Sequence, residues 1–142
     1  MTATTSDRAT TVYRLTAPAI PTTARVARET VAAWLWAAGH HTLLDVARTL
    51  VSDVVTNVVV HTGVPRLSVE ATVTRLGAVV SVWDGDQRGI PRLRRADVED
   101  TCGRGLYLVE ALSHAWGVTW TGGVEPAGKR VWFELRAPDE GT

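Results

Sequence analysis

Cysteine occurs once, at Cys102, which excludes an internal disulfide and any zinc cage built from cysteines. Lysine also occurs once, at Lys129, and 15 acidic residues balance 15 basic ones, so the formal net charge is zero. That balance argues against a nucleic-acid binder working by blanket electrostatics, which needs a strongly basic chain or face. No apolar run reaches the roughly 18 residues of a membrane span. The opening MTATTSDRAT lacks the hydrophobic core of a secretory signal. The expectation is a cytoplasmic protein with no direct hold on membrane or nucleic acid. His40, His41, His61 and His114 show no metal-ligand spacing, and no H-E-x-x-H occurs. What is present, 45% hydrophobic and 21% charged residues, is the composition of an ordinary globular domain. Met1 to Thr10 is expected to be a disordered lead-in, residues 11–136 a single domain, and residues 137–142 a flexible tail.

The stretch Thr42 to Gly63, TLLDVARTLVSDVVTNVVVHTG, organises the rest. Its polar residues fall at Asp45, Arg48 and Thr49, Ser52 and Asp53, Thr56 and Asn57, and His61, a period near 3.6 that predicts an amphipathic helix. Six valines between Val51 and Val60 favour a strand by propensity alone. The period outweighs them, with Thr42 and Asp45 expected as a capping-box-like start and Gly63 as the stop. Asp53 and Asn57 then stand one turn apart and point to the same place. A carboxylate and an amide on a valine-rich helix are costly to bury without partners, so the expectation is that they line a pocket.

Around this helix, Thr11 to Ala17 predicts a strand, and Thr23 to Ala38 a helix with Ala27, Val31, Trp34, Leu35 and Ala38 buried. Trp36 falls on the opposite side near Arg25 and Glu29, a candidate partner surface. Arg66 to Thr74 and Ala78 to Trp83 alternate as a hairpin. The second strand runs into Asp84-Gly85-Asp86. Gln87 to Cys102 is highly charged with few large apolar groups, the pattern of a functional lid. Gly103-Arg104-Gly105 leads into a helix from Leu106 to Ser113, and strands follow at Trp116 to Thr121 and Arg130 to Arg136. The predicted class is α+β: a two-layer sandwich with a mixed, mostly antiparallel sheet and helices on one face.

Three pieces carry chemistry: a helix with Asp53 and Asn57, an aspartate ending a strand, and glycines opening a helix after a charged loop. Glycines at a helix start let an anion approach free N–H groups at the positive end of the dipole. In this order the motifs resemble the ATP-binding fold of DNA gyrase, heat-shock chaperones, histidine kinases and MutL. Within it, the chain is most similar to the bacterial anti-sigma factor serine/threonine kinases and their small actinobacterial relatives, over about Ala24 to Leu135. LVSDVVTNVVVH resembles that family's N box, VSVWDGD its first glycine-box region, GRGLYLVEAL its second, and GKRVWFEL its last strand.

The resemblance implies ATP and Mg²⁺ as cofactors. It implies Asn57 as the Mg²⁺ ligand, Asp53 as the catalytic acid that orients or deprotonates the attacking hydroxyl, and Asp84 with Gly85 as the adenine site. It assigns Gly103, Arg104, Gly105 and Leu106 to the phosphates. As partners it implies a sigma factor, an antagonist protein, or both, and a possible homodimer. Three departures stand out. The family glutamate is Asp53 here, a carboxylate drawn back by about 1.5 Å, and a misplacement on the order of 1 Å can cost about 100-fold in rate. A basic residue usual before the N-box histidine is Val60, and the threonine usual after the last strand's lysine is Arg130, expected to alter the polar network near adenine. Two functions follow as expectations: a protein kinase acting on an antagonist, or an ATP-responsive adaptor with little transfer.

Overall fold

In a computed structural model of the chain, the described residues are 2–7, 10–85, 103–121 and 128–138. They form a six-stranded sheet and three α-helices. The strands are β1 (Thr2–Asp7), β2 (Thr10–Pro18), β3 (Arg66–Thr74), β4 (Gly77–Asp84), β5 (Ala115–Thr121) and β6 (Gly128–Arg136). The helices are α1 (Thr23–Ala37), α2 (Leu44–His61) and α3 (Gly103–Leu112), with a 3-10 turn at His41–Leu43 before α2. The strand order is β1-β2-β3-β4-β6-β5, and every described pairing is antiparallel.

Alternation divides the sheet. Leu67, Val69, Ala71 and Val73 of β3, Ala78, Val80 and Val82 of β4, and Val131, Phe133 and Leu135 of β6 point to one face and are buried. Ala27, Val31 and Leu35 of α1 and Leu50, Val51, Val54, Val55 and Val58 of α2 close that face. This is the expected two-layer α+β sandwich. Tyr13 of β2 stacks on Trp34 of α1 at 5.1 Å, fixing the helix over the sheet.

Several local expectations are corrected. The segment expected as an unstructured lead-in forms β1 along β2, with a register shift between Thr5 and Asp7. Thr42 does not cap α2: it sits in the 3-10 turn, and the N-cap is Leu43, without a side-chain bond. Gly63 does not stop the helix. Thr62 turns extended at φ −121, ψ 163, and its N–H and hydroxyl both donate to the Val58 carbonyl, at 3.1 and 2.7 Å. A polar side chain thus satisfies a carbonyl that a left-handed glycine would otherwise take. Ala38 is exposed beyond the end of α1, where Gly39, at φ 83, makes the left-handed exit. Gly103 to Gly105 belong to α3 itself rather than to a preceding turn.

His40 is buried, and its Nε2 lies 2.7 Å from the Thr74 carbonyl, tying the α1–α2 connection to the β3–β4 hairpin. Gly77 closes that hairpin at φ +153; a Cβ there would stand 2.0 Å from the Leu135 carbonyl oxygen. The lid expected at Gln87 to Cys102 and the tail beyond Pro138 lie outside the described residues.

Candidate functional site

Helix α2 lies against α1 on one side and against α3 and β4 on others. The α1 side is identified by its contacts: Arg28 Nη1 donates to Ser52 Oγ at 3.3 Å, and Arg48 Nε lies 3.5 Å from Glu29 Oε1. Each residue advances the helix by about 100°, so Asp53 and Asn57 stand on the flank turned away from these contacts. That is the flank left for α3. Both residues are half-buried. Burial pushes the Asp53 carboxyl above its ordinary value of 3.8, because a charged carboxylate there has lost part of its hydration.

Asp84 ends β4 and is fully buried. It shares the helix-side face with Val80 and Val82 and stands in register with Leu67 on β3 and Lys129 on β6. The strand end is held by a close approach that the sequence did not announce. A Cβ at Gly128 would lie 2.2 Å from the Asp84 carbonyl oxygen and 3.0 Å from Gly85 Cα. Only a glycine lets β6 begin against the Asp84–Gly85 backbone, and a glycine opening a predicted strand was the signal available.

Gly103, Arg104, Gly105 and Leu106 form the first turn of the ten-residue α3, which packs against α2. The first four N–H groups of any helix lack an intrahelical partner, and in α3 these belong to Gly103 through Leu106. The side chains of this turn lie outside the described residues, as does Asp86. Topology thus brings α2, the end of β4 and α3 to one side of the sheet.

Arg130 is a correction. It pairs with Trp83 on the opposite face of the sheet, since alternation turns it away from Lys129 and Val131. Its side chain is therefore on the other face from that of Asp84. Instead it lines a cavity of about 560 Å³ with Arg14, Glu70, Ser81 and Trp83, on the far face from the helices. His61 is exposed in the last turn of α2, and Val60 beside it is 64% exposed. Trp36 is also exposed, with its ring stacked on His41 at 4.0 Å, while Glu29 is drawn into ion pairs with Arg28 and Arg48. Among the described residues no cluster of three or more His, Cys, Asp or Glu converges on one point. No helix among them is long and apolar enough to cross a membrane.

No protein-family model matches this chain, and the search of curated proteins finds no match either.

Proposed function

We propose that the chain is an ATP-binding regulatory protein resembling the anti-sigma factor serine/threonine kinases, which phosphorylates an antagonist protein, sequesters a sigma factor, or does both. The observation that carries the reading is Asp84: a fully buried carboxylate at a strand end, on the face covered by the helix that holds Asp53 and Asn57. A carboxylate held rigidly at a strand end offers an acceptor at a fixed depth, which suits the amino group of a base edge.

The donor set suits the cofactors. Mg²⁺ takes one or two protein oxygens and completes its shell with phosphates and water, so the Asn57 amide oxygen is sufficient from the chain. Bound Mg-ATP supplies the transferable phosphoryl group with its charge already partly neutralised. Asp84 accepts from the adenine amino group, with Gly85 following it at the strand end. The N–H groups opening α3 from Gly103 through Leu106 hold phosphate oxygens, with Arg104 adding positive charge. Asp53 would orient the acceptor hydroxyl and take its proton as the new phosphorus–oxygen bond forms and the bond to the departing ADP breaks. Its upward-shifted carboxyl is a better base than a solvated aspartate.

The shorter acid favours a second version of this reading. With Asp53 in place of the family's glutamate, transfer is slow and the protein acts as a cytoplasmic, nucleotide-responsive adaptor. Incubation with radiolabelled ATP and candidate antagonist proteins separates the two. Label on the antagonist supports a kinase; Mg-ATP binding without transfer, with transfer gained in Asp53→Glu, supports the adaptor. Absence of Mg-ATP and Mg-ADP binding in calorimetric titration at millimolar nucleotide sinks both.

A further inference from the structure

The cavity on the far face of the sheet has a definite construction. Ser81 of β4 stands in register between Glu70 of β3 and Trp132 of β6, and two residues along the same face Trp83 stands beside Arg130. Depth comes from a difference in side-chain size. A Cβ at Gly117 would lie 2.8 Å from the Trp132 ring, so that indole leans over β5 and away from β4. Ser81 is left as the floor. It is 5% exposed and lines the cavity, and its hydroxyl forms no hydrogen bond among the described residues.

The charges on this face do not cancel. Glu70 is met by Arg14 Nε at 3.1 Å and Glu134 by Arg136 Nε at 3.2 Å, so the acids of β3 and β6 are already occupied. Arg130 has neither an ion pair nor a hydrogen bond among the described residues. Nor does it lie over a ring: the cation–ring contact of its strand is made by Lys129 on Trp120, on the opposite face. The cavity is therefore lined by two guanidinium groups and one carboxylate, a surplus of one positive charge held at Arg130.

We propose that this cavity is a second ligand site, and that it takes a small aromatic monocarboxylate. One surplus positive charge calls for one negative charge, and the planar fork of an arginine meets a carboxylate through two parallel N–H bonds. Thr119, opposite Arg130 on β5, is exposed and brings a hydroxyl to the same end of the cavity. On the other side of Arg130 stands Trp83, 38% exposed. Residues directly opposite in a ladder have Cβ atoms about 4.5–5.5 Å apart, so a ring attached to the bound carboxylate falls against the indole. At the floor the Ser81 hydroxyl meets a polar substituent on that ring. Size agrees with the chemistry: about 560 Å³ lies within the roughly 300–1,000 Å³ of small-molecule sites. The site is on the opposite face from Asp84, so it stands or falls apart from the nucleotide reading.

Indole-3-acetate is the probe, followed without nucleotide through the indole N–H signals in heteronuclear NMR, with the Trp83 signal assigned by its loss in Trp83→Phe. A saturable shift of that signal is expected, with a dissociation constant of about 1 mM or below, the ordinary yield of a ligand of about a dozen heavy atoms. Neutral indole-3-acetamide and ring-free acetate should each bind at least about tenfold more weakly. Arg130→Gln, at an exposed position that leaves the backbone amide spectrum of the helices unchanged, should weaken indole-3-acetate by about 10–100-fold, the worth of a charge-assisted hydrogen bond. A Trp83 signal unmoved at about 10 mM probe overturns the proposal. So does equal affinity for the acid and its amide, undiminished binding in Arg130→Gln, or displacement of the probe by Mg-ATP.

Discussion

The two faces of the sheet treat acidic residues differently. On the far face Glu70 receives two bonds from Arg14, one of them from Nε at 3.1 Å, and Glu134 is met by Arg136 Nε at 3.2 Å. The arginines are more than half exposed, so these pairs sit at the solvent boundary. On the helix side Asp84 is wholly enclosed, and Asp53 on α2 is partly so. One face places charge where hydration and counter-charges make it cheap. The other holds carboxylates where hydration is partly or wholly lost.

The largest effect that tests this contrast is in the packing that encloses Asp84. Phe133, the only phenylalanine, is fully buried on the helix-side face. Phe133→Ala is expected to cost about 3–5 kcal/mol in urea unfolding. A loss under about 1 kcal/mol would mean that the helix-side layer is not a packed core. Next is Asp84→Asn, which keeps the shape but reverses the polarity of one atom. It is expected to weaken Mg-ATP binding by about 10–100-fold, the worth of a hydrogen bond to a charged group, while leaving the molecule folded by circular dichroism. Unchanged affinity would remove Asp84 from the adenine site.

A third test concerns Asp53 and pH. Its folded-state carboxyl is shifted upward, so the folded chain holds that proton more firmly than the unfolded chain does. Its contribution to stability therefore falls as pH rises from 3.8 through the raised value, and stays low above it. Asp53→Asn removes the penalty. The variant should unfold at a higher temperature than wild type at pH 7, with the difference shrinking toward pH 3.8. A variant less stable at pH 7 would show that Asp53 is held by a favourable partner. The smallest effect is expected on the far face: Glu70→Ala should change stability by no more than about 1 kcal/mol, and less at high salt. A larger loss would erase the distinction between the faces.

Much of this contrast was legible in the residues. The polar stripe of α2 set Asp53 and Asn57 together, and β3 and β4 alternate so regularly that the hairpin and the terminal position of Asp84 followed from period alone. β1 was not legible, because TATTSD has no apolar alternation and is a strand only through its pairing with β2. Neither was Thr62 as the closing residue of α2, since glycine and threonine both have means to end a helix and only the backbone angles distinguish them. Arg130, expected to alter the polar network near adenine, pairs with Trp83 on the far face. Its position after Lys129 drew it toward adenine, although the two-residue period of its own strand turned it the other way. Nor was the tie from His40 Nε2 to the Thr74 carbonyl, 2.7 Å away, legible, since it joins residues 34 positions apart.

By itself the amino-acid order determined the local matters: which segments coil or extend, which side chains share a face, and where a carboxylate and an amide stand one turn apart. These depend on periods of a few residues, and a few residues suffice to read them. The tertiary structure alone decided which flank of α2 meets α1 and which is left to α3, that Asp84 is sealed from water, and that one edge of the sheet carries a bulge while the other is even and uncharged. Those outcomes rest on contacts between segments tens of residues apart, whose register is set by packing and hydrogen bonding across the whole sheet.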